Sequence, residues 1–102
     1  MYKNDGKMCK IPCNKILYIE SKGRYLSIHD NEGKENLFVG KIFEQVDRLP
    51  EYFIRISKSC IVNIKYISSF TGDKAIIGKN LILNIGRIYK EDFMEVISNA
   101  LE

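Results

Sequence analysis

Histidine and cysteine are scarce in this chain: His29 is the lone imidazole, and Cys9, Cys13 and Cys60 are the only thiols. A zinc site wants about four ligands at characteristic spacing, and this set does not supply them, so no metal is expected. Three thiols with no signal peptide ahead of them argue against a disulfide framework and for a reducing, cytoplasmic setting. Each reads instead as a small buried hydrophobe. No apolar run approaches the ~20 residues of a membrane span. Gly33, Gly40, Gly72, Gly78 and Gly86 stand alone in turns, so no phosphate-cradling loop is present. Cys60 and His29 are the one thiol and imidazole pair available for covalent catalysis. Neither sits in a nucleophile motif, and Cys60 lies inside an apolar run. No enzyme and no cofactor are expected.

What is present is enough for one packed core. The 102 residues, 45% of them apolar, are read as one domain spanning 1–102, with the polar lead through about residue 6 flexible. Such a chain starting at Met1 reads either as a whole small protein or as an excised domain. Charged residues make up 28% and the formal net charge is +3, which tolerates a polyanion without demanding one. Clustering of the cations has to decide.

Short segments rich in Ile, Val, Tyr and Phe, separated by Gly, Asn and Asp, recur from end to end, the pattern of consecutive strands joined by tight turns. KMCKIPC (7–13) alternates Cys9, Ile11 and Cys13 on one face, with Pro12 at a strand end. ILYIES (16–21) and RYLSIHD (24–30) form a hairpin around Gly23, with Tyr25, Ser27 and His29 on one face and Leu26 and Ile28 on the other. After the turn Asp30 to Gly33, a strand covers about Lys34 to Val39. GKIFEQVDRL (40–49) then changes period: Ile42, Phe43, Val46 and Leu49 share a helical face, and Pro50 stops it. FIRIS, IVNIKYISSF, AIIG and LILNI return to strands. IYKEDFMEVISNAL closes the chain as a helix with Tyr89, Phe93, Val96, Ile97, Ala100 and Leu101 on its apolar stripe. The class is mainly β with antiparallel pairing, one short internal helix and a C-terminal helix.

FIRISKSCIVN (53–63) threads polar groups through a strand-prone run, and those groups have to be exposed or paired. Other cations also fall in turns. Lys22 and Arg24 flank Gly23, Lys58 sits in Ser-Lys-Ser, Arg87 follows Gly86, and Lys90 lies one helical turn on. Long cationic side chains on loops at one edge of a β frame suit phosphate and base-edge contacts. Solvated turn charges are the plainer reading, and with it a β-rich protein-interaction module that binds no DNA.

Two blocks favour the first reading. FIRISKSCIVN resembles F-x-R-x-H-[KR]-S-x-[IVL]-V-N, and LNIGRIYKEDF (83–93) resembles [IL]-x-[ILV]-[SG]-R-x-Y-x-x-x-[FL], both of the LytTR DNA-binding domain of bacterial response regulators. The likeness runs in register from about Lys10 to Phe93. It implies an elongated stack of small antiparallel β-sheets that binds promoter DNA through loops in two successive major grooves. Carried over residue by residue, it implies base reading by Arg24 and Arg87, a middle contact at Lys58 with Ser59 beside it on phosphate, and supporting backbone contacts by Lys22, Lys41 and Lys90. Arg55 and Asn63 match as structural residues, Asn63 holding a turn through side-chain-to-backbone bonds. The implied role is transcription regulation, as the output domain of a two-component response regulator with a receiver domain or as a stand-alone regulator. The implied partner is double-stranded DNA, with a second copy on an adjacent half-site and no membrane. Ser57 stands where the family usually has His, and Gly86 where Ser is more frequent.

Overall fold

A computed structural model describes residues 2–4 and 7–9 by their backbone and residues 11–100 in full. Met1, Asp5 and Gly6 of the lead expected to be flexible, Lys10, the side chain of Cys9, and Leu101 of the expected helical stripe lie outside the described residues. The molecule is elongated, 40 × 26 × 22 Å.

Among the described residues, ten strands form three antiparallel sheets. β1 (Tyr2–Asn4) and β2 (Lys7–Cys9) pair with each other. β3 (Ile16–Lys22), β4 (Tyr25–Asp30), β5 (Glu35–Val39), β6 (Phe53–Ser57) and β7 (Cys60–Asn63) make a five-stranded sheet in the order β5-β4-β3-β7-β6. β8 (Ile67–Phe70), β9 (Lys74–Ile77) and β10 (Leu81–Asn84) form a smaller sheet with β9 in the middle. α1 (Ile42–Gln45) runs into a 3-10 turn over Val46–Arg48, and α2 (Lys90–Ala100) follows a 3-10 turn over Arg87–Tyr89.

The five-stranded sheet is covered on both faces around its centre, and its sequence shows why. Side chains alternate along a strand, so in the fully buried β7, Cys60 and Val62 enter one core while Ile61 enters the other. On the first face Tyr18, Ile56, Cys60 and Val62 meet Ala75 and Ile77 of the small sheet, Ile85, and Phe93 and Ile97 of α2. On the second, Ile16, Ile19, Leu26, Ile28, Phe38, Phe53 and Ile61 are closed by Ile42 of α1. Phe70 and Phe93 meet edge to face, with centroids 5.9 Å apart, a geometry that the ring quadrupoles favour.

The fold matches the expected class and departs from it locally. The expected strand over 7–13 ends at Cys9, because Pro12 has no N–H for a ladder. Pro12 instead accepts the Lys15 N–H (3.0 Å) and opens a 3-10 turn over Cys13–Lys15, which leaves Cys13 half-buried. The internal helix is one α-turn rather than a continuous stripe. Ile42 and Gln45 face inward, while Phe43 and Val46, expected on the apolar face, are exposed. Three to four residues per turn cannot bring all four apolar positions to one short contact, and Gln45 takes the place of Val46 beside Leu26 and Gly40. IVNIKYISSF divides at Asn63. Its buried side chain accepts the Lys65 N–H (2.9 Å), capping a 3-10 turn over Ile64–Tyr66, and donates to Ile16 O (3.0 Å), which is the turn-holding role expected for it.

Candidate nucleic-acid interface

Antiparallel pairing dictates which turns meet. β3 ends where β4 and β7 begin, so the β3–β4 turn at Gly23 and Arg24 and the β6–β7 turn at Lys58 and Ser59 lie at the same end of the five-stranded sheet. Three backbone hydrogen bonds extend this into a row. Gly40 N–H donates to Arg24 O (3.1 Å), Ser21 N–H to Ser59 O (2.8 Å) and Gly86 N–H to Ile56 O (2.6 Å). Lys41, Arg24, the Lys58–Ser59 pair and Arg87 therefore follow one another along one edge, with Lys58 and Ser59 between the two arginines. At about 4.8 Å per strand, the row from the β3–β4 turn to the segment beside β6 covers roughly 15 Å.

Each turn has a local cause. Gly23 takes φ +62°, a left-handed conformation that glycine adopts without the Cβ penalty, and this lets two residues reverse the chain between Lys22 and its pair Tyr25. In the second turn the Ser57 hydroxyl accepts the Ser59 N–H (3.3 Å). A short hydroxyl is the residue type that makes this bond, which accounts for serine at the position where the resembling block has His. Arg55 Nε donates to Ser57 O (3.1 Å), its Nη2 to Lys58 O (2.7 Å), and its guanidinium lies 5.7 Å over the Tyr89 ring. Tyr89, expected on the stripe of the terminal helix, belongs to the 3-10 turn ahead of it, and its N–H donates to Gly86 O (2.9 Å). A Cβ on residue 86 would sit 3.1 Å from Tyr89 Cδ2, so glycine there lets the ring close on the chain.

The seven residues expected to bind divide by their partners. Arg24, Lys41, Lys58 and Arg87 are exposed and belong to no ion pair among the described residues. Ser59 is exposed in the same row. Lys22 is held by Glu35 at 2.8 Å, and Lys90 by Asp73 at 2.5 Å. These contacts keep both carboxyls below the usual carboxylate range, the lysine hydrogen bond being the first cause in each case. α1 is too short to present much of a dipole, so Lys41 offers its charge rather than a helix terminus.

Cys60 is buried and its thiol is pushed up to about 12, chiefly by burial and then by Glu20, which favours the neutral thiol over the nucleophilic thiolate. His29 is engaged elsewhere. Its Nε2 lies 3.1 Å from Glu20 Oε1 and 3.1 Å from the buried Ser27 hydroxyl, and its ring stacks on Tyr18 at 4.1 Å. Ser27 in turn donates to Glu35. No set of three metal-ligating side chains converges among the described residues.

A mainly β frame thus offers cations free of ion pairs from a row of turns, an arrangement that suits a polyanionic partner. The profile of the LytTr DNA-binding domain matches residues 6–98, and the chain belongs to that family of DNA-binding domains. A solved structure described as the LytTr DNA-binding domain of a putative methyl-accepting/DNA response regulator from Bacillus cereus shares its fold, with TM-score 0.79 at 20% identity over 94% of this chain and 93% of that one. Comparison with curated protein sequences returned no match. No helix among the described residues is long and apolar enough to cross a membrane.

Proposed function

We propose that the chain binds double-stranded DNA sequence-specifically and regulates transcription, in the cytoplasm and without catalysis of its own. The observation that carries this reading is the row of turns in which Arg24, Lys58 and Arg87 are all free of acidic partners. Arg24 and Arg87 read base edges in the major groove, for which the planar guanidinium fork is suited. Lys58 and Ser59 meet the phosphate backbone between them. Lys41 adds a phosphate contact at one end, and Lys22 and Lys90 contribute less because Glu35 and Asp73 already hold them. The 102 residues act as one domain, working either behind a receiver domain in a response regulator or alone, with a second copy on an adjacent promoter repeat.

Selection of bound sequences from random duplex DNA, followed by titration of the selected site at several salt concentrations, tests this. Affinity falls steeply with salt, as counterion release requires, and discriminates strongly between selected and random sequence. A chain that binds both duplexes equally, or neither, is not a sequence-specific regulator.

A further inference from the structure

Arg55 occupies a position from which it touches two proposed contact segments at once. Its guanidinium holds both carbonyls of the Ser57–Lys58 stretch, 3.1 and 2.7 Å away, and lies over the ring of Tyr89, two residues beyond Arg87. The Gly86 N–H to Ile56 O bond (2.6 Å) ties the same two segments through the backbone, and the missing Cβ at Gly86 lets Tyr89 approach. Arg55 is only half-exposed, and two of its five N–H donors are directed at the protein. A planar cation with donors along one edge and π faces above and below can bind two carbonyls and stack on a ring at once. A lysine ammonium cannot, because it is a point charge on a flexible stem.

We propose that Arg55 is a positioning residue for DNA recognition: through the Ser57 and Lys58 carbonyls and the Tyr89 ring it locks the Lys58 turn to the Arg87 segment, so that the middle and far contacts arrive as one rigid unit. This rests on the reading of Lys58 and Arg87 as DNA contacts. It makes Tyr89 and Gly86 parts of the same device. It also accounts for an arginine that would otherwise be one more surface cation of the row.

The test uses the full chain and a fluorescent duplex selected from random DNA, with Arg55→Lys, Arg55→Gln, Tyr89→Leu and Arg87→Ala variants. Thermal melting is followed first, so that binding is measured where each variant is folded. Arg55→Lys keeps the charge, yet affinity for the selected duplex is expected to drop roughly tenfold, the scale of coupling between residues in one network. Tyr89→Leu, which alters no charge, gives a similar loss. The slope of log affinity against log salt stays at the wild-type value in both, because no phosphate contact is removed. Adding Arg87→Ala to Arg55→Lys costs less than Arg87→Ala alone, since a misplaced Arg87 has little left to lose.

Wild-type affinity in Arg55→Lys, or a slope reduced by about 0.9 in Arg55→Gln, makes Arg55 a direct phosphate contact and overturns the proposal. Purely additive losses overturn it as well. Lowered melting temperatures with unchanged affinity reduce Arg55 to a fold-stabilising residue and overturn it too. Should Arg55→Gln fail to fold, Tyr89→Leu decides, since unchanged affinity there shows that the ring locks nothing. A wild-type chain without salt-dependent DNA affinity marks the failure of the DNA reading itself, separately from these outcomes.

Discussion

The two arginines assigned to base reading are held in opposite ways. Arg24 stands on a two-residue turn whose glycine has open space around it, and its carbonyl is tied to the neighbouring Gly40 N–H at 3.1 Å. Arg87 stands on a segment fixed to β6 by Gly86, braced by Tyr89, and continued into a helix whose Phe93 is fully buried. One arginine is hung from a hairpin and the other is built onto a core. Loop-borne side chains on a single frame can therefore be supported to different degrees.

Phe93→Ala should break this contrast most severely. Removing a fully buried ring from the core beneath the Arg87 segment should cost about 3–5 kcal/mol, read by urea denaturation. The effect should appear as global unfolding rather than as altered DNA preference.

Arg24→Ala and Arg87→Ala should each cost about 1–3 kcal/mol on the preferred duplex and relax specificity at separate positions, while melting temperatures stay unchanged. Lys58→Ala should weaken binding across all sequences and lower the salt slope by about 0.9. If Lys58→Ala changes sequence preference instead, the middle contact is a reader.

Gly23→Ala acts on the hairpin arm alone. At φ +62° the added Cβ has room but the wrong backbone, so about 1–2 kcal/mol of stability should be lost in urea titration. Base preference at the Arg87 end should survive.

Alkaline pH sharpens the picture on the core side. The Cys60 thiol and the Tyr18 hydroxyl are both raised to about 12 in the folded chain, chiefly by burial. Unfolded, they ionise near 9 and 10 respectively. The unfolded state therefore releases protons first, and stability falls as pH rises from about 9 toward 12. Urea midpoints across that range should decline, and Cys60→Ala should flatten the first part of the decline. The smallest effect belongs to Lys90→Ala, because Lys90 is already paired with Asp73. Its salt slope should stay close to that of the wild type.

Much of the frame was legible in the sequence. The Gly23 hairpin, the strand Phe53–Ser57, the helix after Arg87 and the turn-holding role of Asn63 follow from alternation, period and turn chemistry, whereas the strand expected over 61–70 is broken by a 3-10 turn after Asn63. Local signals failed where short elements are decided by distant partners. Pro12 ended an expected strand. Phe43 and Val46 lost the inward face to Gln45, because one helical turn can bury only the residues nearest Leu26. Nothing in the order Arg55…Tyr89 announces a contact across 34 positions, and no local pattern could.

For the site, the sequence by itself determined the inventory: cations in turns and two blocks of residues in LytTR-like register. It also determined which side chains of each strand share a face, because alternation along a strand does so. Only the tertiary structure decided which cations are free. Lys22 and Lys90 found carboxylates brought to them by β5 and by the β8–β9 turn, whereas Arg24, Lys58 and Arg87 were gathered along one sheet end by hydrogen bonds between segments far apart in the chain. Charge is written residue by residue, but its neutralisation depends on what packs within a few ångströms, and that is fixed only when the strands find their order.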